Sequence, residues 1–449
     1  MAYNFRPYSP DQAYLLPQAP REWLPEGHLA FFLEETVSLL DLRPIFERHQ
    51  GGRGPQAYHP QMLLTLLLYG YCTGVYSSRK IAGGCESGLA FRVLSWGQFP
   101  DFRTLSDFRK EHLEAFHGLF LEVLRVCREA GLVRMGHLSL DGSKYQANAS
   151  KHKAMSYGRI QEVEPQLEAE VKELLRRAAE VDEVEDAQYG PEQRGDELPE
   201  ELRRREGRLE KIREAKRRLE ERARSRGQER AEARSAGSQE AAAAAAREVP
   251  RPKEQSNFTD PDSRIMKTSH GWIQGYNAQV LVEEASEVIV AQEVTAHSAD
   301  SPRLRPMLDR LEENLARVGV PEGERRPKWF TADAGYCSEV NLRMLAERQF
   351  DAYVATGRER HHRGGIAHGS RTRTPLRAAM RDKLQSTEGR AIYARRKAIT
   401  EPVHGLIKQA RGFRQFLLRG PDKVAGEFTL VALTHNILKL WRANLAPTA

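Results

Sequence analysis

What most limits the possible folds is a change of period along the chain. In the stretch "HLSLDGSKYQANASKHK" (137–153) an apolar-polar alternation runs straight into Asp141, where the strand is read to end, and a cluster of Lys, Asn and His follows. From about 160 to 255 the chain is instead dense in Glu, Arg, Leu and Ala, as in "ELPEELRRREGRLEKIREAKRRLEERARSRGQERAEARS". Leu202, Leu209, Ile212 and Leu219 follow a heptad-like rhythm there. With "QYGPEQRGD" as its turn, this segment is expected to form a coiled-coil-like helical hairpin. Its charges are mixed, which predicts a solvated, salt-bridged pair rather than a DNA clamp. "GSQEAAAAAAREVPRPKEQ" reads as a linker back into the fold.

Strand signals then resume. "GYNAQVLVEEASEVIVAQEV" (275–294) carries two alternating runs around "EEASE", the signature of a hairpin. "SPRLRPMLDRLEENLARVG" reads as a helix, "PKWFTADAGYCS" as a strand stopping at Asp333, "SEVNLRMLAERQ" as a helix and "FDAYVATG" as a strand. The basic, Gly-rich "RERHHRGGIAHGSRTRT" reads as a loop, followed by helices from about Glu401 to Gln409 and Phe428 to Leu445. Without the insertion this is a mixed α/β domain, and the insertion falls in the connection after its first strand.

Residues 1 to about 130 read as helical. "EGHLAFFLEETVSLLDLRPIFERH" repeats apolar residues every three or four positions. "YHPQMLLTLLLYGYCTGVYSSRKIAGGCE" predicts a buried helix, a break and a second helix capped by Ser77 or Ser78. In "FPDFRTLSDFRKEH" Thr104 is the expected cap of a further helix. Arg79, Lys80, Arg103, Arg109 and Lys110 on such short helices fit a helix-turn-helix-like DNA-binding unit; the alternative is a solvated basic face.

Composition narrows the classes further. The net charge is +7, with a pI near 9.1, which favours a polyanionic partner. Cys72, Cys85, Cys127 and Cys337 stand singly, so neither a disulfide framework nor a zinc knuckle is indicated. "MAYNFRPYSPDQ" lacks the basic head and apolar run of a signal peptide. The nearest apolar run, "LLTLLLYGYCTGV" (63–75), falls short of the roughly 18 residues a membrane span needs.

Asp141 and Asp333 share a context: each closes a strand and is followed by a small residue. Acids at the ends of neighbouring strands converge at one sheet edge. There their repulsion calls for protons or hard cations, of which Mg²⁺ is the usual partner of carboxylate oxygens. Glu401 is the candidate third acid. It precedes Pro402, as at the first turn of a helix, and Lys408 follows seven residues on, on the same face. Tyr393, Arg395, Arg396 and Lys397 lie upstream, placed to grip a DNA backbone. For any one of these acids alone, turn former or helix cap is the commoner role.

At this point three blocks, "LDGSKYQANASKHKAMSYGRI", "FTADAGYCSEVNL" and "YARRKAITEPVHGLIKQARGFRQFLLRG", together resemble bacterial insertion-sequence transposases with a DDE catalytic domain. The branch they resemble bears a Tyr-Arg-Glu-Lys signature, and the helical N-terminal blocks resemble that group's DNA-binding domain. The resemblance implies an all-α domain at 1–132. It implies a ribonuclease H-like α/β domain at 133–449, interrupted by the insertion at about 160–255. It makes Asp141, Asp333 and Glu401 the catalytic and metal-binding triad, holding two Mg²⁺ ions for which Mn²⁺ can substitute. Tyr393, Arg396, Lys397 and Lys408 match the signature's DNA-contacting positions. Because four residues separate Arg396 from Glu401, where the signature has three, Arg395, Arg396 and Lys397 all remain candidates for the Arg position.

The expected activity is binding of element ends, then metal-dependent cleavage and strand transfer by in-line phosphoryl transfer in a homo-oligomeric complex on double-stranded DNA. The expected setting is the bacterial cytoplasm, at the nucleoid and not at a membrane. The rival readings are a purely hydrolytic nuclease, a DNA-binding protein without catalysis, and a structural coiled-coil protein. Lys144, Lys151, His152 and Lys153 are read as solvated or DNA-touching. Trp96 and Trp272 are read as core or interface packing residues, with stacking on a flipped base as the alternative. His361, His362 and His368 are not read as a zinc site, because their loop is irregular.

Overall fold

The computed structural model of the chain describes residues 20–49, 57–189, 200–234, 248–268, 271–357 and 374–445. Seven helices lead: α1 (Leu29–Ser38), α2 (Arg43–Phe46), α3 (Pro60–Thr73), α4 (Ser78–Ser87), α5 (Leu89–Leu94), α6 (Phe102–Glu111) and α7 (Leu113–Glu129). Pro60 opens α3, where its missing N–H costs nothing, and Gly74 ends it with φ 81°, a left-handed conformation open to glycine. Ser77 occupies the N-cap position of α4. The cap of α6 is Asp101, not Thr104: Asp101 accepts from Arg103 N at 2.8 Å, and Thr104 is already inside the first turn.

Strand β1 (His137–Gln146) follows, then the short β2 (Ala154–Ser156) and the insertion. The insertion is the expected hairpin, built from α8 (Tyr157–Tyr189) and α9 (Glu200–Arg234). Ile160, Leu167 and Val171 of α8 meet Leu209, Ile212 and Leu219 of α9 in a small core of their own. Charge pairs bridge its flank, Lys216–Glu164 at 2.7 Å and Arg205–Glu170 at 3.0 Å. The side chain of Leu202 and residues 237–247 of the expected linker lie outside the described residues. At the root, β2 pairs antiparallel with β3 (Gln255–Asn257), so the hairpin enters and leaves through one ladder.

The sheet is completed by β4 (Arg264–Thr268), β5 (Gly271–Glu283), β6 (Ile289–Thr295), β7 (Trp329–Ala332) and β8 (Ala352–Val354), in the order β4-β5-β1-β7-β8 with β6 also on β5. It is mixed: β1 runs antiparallel to β5 but parallel to β7, and β7 parallel to β8. Helices α10 (Leu304–Arg317) and α11 (Glu339–Glu347) make the two crossovers. Asp141 does not end its strand. The 13-residue β5 pairs with β1 as far as Gln146↔Gly275, and this long ladder carries the strand past the acid.

The chain closes with α12 (Pro375–Gln385), α13 (Thr387–Gly405) and α14 (Pro421–Leu445). Here the expectation for Glu401 is corrected. Helix α13 starts under a Ser386 cap, whose hydroxyl accepts from Gly389 N at 2.9 Å, and Glu401 falls in its last turns, not its first. Pro402 is therefore inside a helix. Proline removes an intrahelical bond and crowds the preceding turn, and just beyond it the backbone widens into a π-helical turn, Leu406–Ala410, that carries Lys408.

Helix α14 is buried along Phe428–Ile437 and lies between the sheet and the N-terminal helices, so one apolar core spans both. Its polar side chains are matched: Asn436 bonds both N and O of Ile289 on β6 at 2.9 Å. Glu427 accepts from Leu417 N, Leu418 N and the Tyr71 hydroxyl. Among the described residues no helix is long and apolar enough to cross a membrane.

Candidate active site

The register of two parallel strands builds the site. Leu140 on β1 pairs with Ala332 on β7, so the next residues, Asp141 and Asp333, stand side by side about 5 Å apart in strand spacing. Asp141 accepts from its neighbour Gly142 N at 3.0 Å. Asp333 caps the 3₁₀ turn Ala334–Tyr336 by accepting from Gly335 N at 2.7 Å.

Successive side chains of β1 then go to opposite faces. Asp141, Ser143 and Tyr145 meet the C-terminal helices: Arg396 Nη1 lies 3.9 Å from Asp141 Oδ1, Lys408 Nζ bonds the Ser143 hydroxyl, and the Tyr145 hydroxyl is 3.3 Å from His404 Nδ1. Lys144 goes the other way, to Asp300 at 3.3 Å.

Burial dominates the electrostatics. It pushes the Asp141 carboxyl up to about 6, against the pull of Arg396, with Asp333 and Asp300 adding to the rise. Asp333 is raised too, by burial first and then by Asp300. Burial pulls Lys408 down to about 8, and the nearby Asp141 charge opposes that shift. Lys408 also donates to Lys144 O at 2.8 Å and sits 4.3 Å from the Tyr145 ring centre.

The other signature residues spread around this centre. Tyr393 is buried, with Arg396 5.8 Å from its ring centre. Of the three candidate basic residues, Arg396 lies beside Asp141. Arg395 pairs with Glu284 at 2.5 Å, and Lys397 is half-buried. Glu401 is exposed on α13, and its carboxylate makes no hydrogen bond or ion pair with Asp141, Asp333 or another described residue. Asp141 and Asp333 are thus brought together, whereas Glu401 is not joined to them. Among the described residues no group of three or more His, Cys, Asp or Glu is arranged to hold a metal ion.

Several expectations change with burial. Arg109 is not a surface cation: it is buried and donates to the Tyr71 hydroxyl and Tyr76 O, on the Glu427 side of the core. Arg79, Lys80, Arg103 and Lys110 remain exposed. Trp96 and Trp272 are exposed and so are not core residues. Trp272 lines an open cleft with Lys151, His152, Lys153 and Arg419. His361, His362 and His368 lie outside the described residues.

Asp300 is the acid that sequence reading missed. A signal was available: Asn277 and Gln279 are polar residues on a strand otherwise apolar enough for the core, and both donate to Asp300. Buried polar side chains need partners, and their partner was the acid after β6.

A mixed sheet with paired strand acids and a cationic helix end fits a class of proteins that act on DNA, and two family profiles match the chain within that class. A transposase domain (DUF772) matches residues 18–111, and a transposase DDE domain matches residues 246–437. Together they cover more than half of the chain, which belongs to the insertion-sequence DDE transposases. Asp333 and Glu401 fall within the second match, and Asp141 precedes it. No curated protein and no solved structure matches the chain.

Proposed function

We propose that this transposase binds the ends of its element and performs DNA cleavage and strand transfer by in-line phosphoryl transfer at the Asp141–Asp333 pair, with Glu401 as the third acid. The observation that carries the reading is the β1–β7 register, which sets two buried-side carboxylates next to each other. The proposed fold is ribonuclease H-like: three antiparallel strands, β6-β5-β1, continue into two parallel ones, β7 and β8. The proposed division is a DNA-binding domain at 1–132 and a catalytic domain at 133–449, with the hairpin inserted at about 160–255. The exposed Arg79, Lys80 and Arg103 support DNA contact by the first part.

A divalent cation fits the acid pair. Both carboxyls are held above the ordinary range by burial and by neighbouring acids, and Arg396 offsets only part of this. Hard carboxylate oxygens suit Mg²⁺ or Mn²⁺. Asp141 and Asp333 would hold the ion, with Glu401 as the further ligand expected from the triad. When bound it supplies Lewis-acid stabilisation of the transferring phosphoryl group.

The chain's own residues do the rest. Arg396 and Lys408 place positive charge beside Asp141, where a phosphate would otherwise be repelled. The Lys408 ammonium is fixed by Ser143 and Lys144 O, so it is oriented before DNA arrives. We also propose a homo-oligomer on the paired ends and action at the nucleoid in the cytoplasm. The test is an assay with 3′-labelled element ends, Mg²⁺ and a plasmid target. Joined product supports transposition. Cleavage without joining favours a hydrolytic nuclease, and end binding without either product favours a repressor.

A further inference from the structure

Asp300 sits at the centre of a hydrogen-bonded hub that reaches the strand carrying Asp141 and the turn carrying Asp333. Its Oδ1 receives Asn277 Nδ2 at 2.7 Å, Gln279 Nε2 at 2.9 Å and Lys144 Nζ at 3.3 Å. Lys144 is three residues beyond Asp141 on the same strand. Gln279 pairs across the ladder with Gly142, and its Oε1 accepts from the Tyr336 hydroxyl, at the end of the turn that Asp333 caps. A second tie runs through Asn341, whose Nδ2 donates to Tyr336 O and Ser301 O, both at 2.8 Å.

The fit is close on both sides. A Cβ on Gly142 would come within 2.8 Å of Asp300 Oδ1. A Cβ on Gly335 would sit 2.9 Å from Asp333 Oδ1 and 3.0 Å from Asp300 Oδ2, so the two carboxylates approach the same point. Asn277 is fully buried with its amide nitrogen on Asp300, and its Oδ1 has no hydrogen-bond partner among the described residues.

We propose that Asp300 is a positioning residue for DNA cleavage: through Lys144, Gln279 and Tyr336 it fixes the strand carrying Asp141 against the turn carrying Asp333. This rests on the cleavage reading above. Acids that share a cation must be held to a fixed spacing, and their supporting residues set it. Asp300 touches neither DNA nor the reacting atoms in this assignment; it acts through the two acids.

The test uses full-length Asp300→Asn, Gln279→Leu and the double variant, with Mn²⁺ as the probe. Mn²⁺ affinity is measured by electron paramagnetic resonance without DNA, beside thermal melting and end-DNA binding. Asp300→Asn should keep the melting temperature and end-DNA affinity of the parent. It should bind Mn²⁺ about tenfold or more weakly and need correspondingly more Mn²⁺ for half-maximal cleavage. Gln279→Leu should shift both in the same direction, and the double variant should lose less than the product of the two. Parental Mn²⁺ affinity in Asp300→Asn overturns the assignment. Should that variant fail to fold, parental affinity in Gln279→Leu does so. Asp141→Asn separates the two readings: Mn²⁺ affinity lost there but kept in Asp300→Asn sinks only the role of Asp300, whereas affinity kept in Asp141→Asn sinks the acid site itself.

Discussion

Arg396 Nη1 stands 3.9 Å from Asp141 Oδ1, a cation of α13 facing an acid of β1 across the sheet surface. The pair does not neutralise itself. Burial of Asp141 outweighs the attraction, so the carboxyl titrates near 6 despite the guanidinium beside it.

That balance makes stability depend on pH. Native Asp141 holds its proton more tightly than the unfolded chain, whose value is near 3.8, so the native state binds more protons between about pH 4 and 6. The contribution of Asp141 to stability therefore falls as pH rises through that window, and Asp333 is shifted the same way, whereas buried His137, His404 and His435, whose pKa values burial lowers, contribute with the opposite sign. Asp141→Asn should be more stable than the parent at pH 7, by on the order of 2 kcal/mol, and should lose part of the pH dependence. Denaturant melts of both proteins at pH 4, 5, 6 and 7 measure this; an advantage of Asp141→Asn over the parent that does not grow from pH 4 to 7 contradicts it.

Asp141→Asn and Asp333→Asn each should lower end cleavage by about 10³-fold, the several kcal/mol a bound metal contributes to the transition state. End-DNA binding should stay near the parent's. Gel shift beside cleavage separates the two, and a parallel loss of binding would argue for a structural role.

Arg396→Gln removes the cation opposing Asp141, so the pH window of the stability loss should move upward. Cleavage should fall about tenfold or more, and Arg396→Lys should restore only part, because an ammonium lacks the planar fork of a guanidinium. Full activity in Arg396→Gln would exclude a role at the phosphate.

Glu427→Ala should destabilise the whole chain by roughly 3–5 kcal/mol. The change strands Arg109 in the core and leaves the Tyr71 hydroxyl and two backbone N–H groups without their acceptor. Because α14 joins the N-terminal helices to the sheet, calorimetry should show one cooperative transition moving down, not the loss of one part alone.

End-DNA affinity should fall steeply with salt, with a slope of log affinity against log salt near −0.9 for each phosphate contacted. Replacing Arg79 and Lys80 together by Ala should flatten that slope by roughly two. An unchanged slope would remove these residues from the DNA contact.

Much of the architecture was legible in residue order alone. Periods of two and 3.6 separate strands from helices through local geometry, which is why the hairpin insertion, the β5–β6 pair and the strand before Asp333 were readable. Helix α12 and the first half of α13 were not. Their apolar residues, such as Leu384, Ile392 and Tyr393, are sparse among Arg and Lys, and find a core only against β8. The strand beyond Asp141 was hidden for a similar reason: "GSKYQ" carries little strand signal and is held by the ladder to β5.

The sequence by itself therefore determined which residue types were available: two acids each followed by a small residue, a third before Pro402, and a cluster of cations near it. Only the tertiary structure decided who meets whom. It set Arg396 beside Asp141 and Arg395 beside Glu284, buried Arg109, left Glu401 on the helix surface and brought in Asp300. The reason is that spacing along a chain fixes neighbours only within one element, whereas charge partners here come from strands and helices joined by long-range register, and burial sets the strength of each encounter.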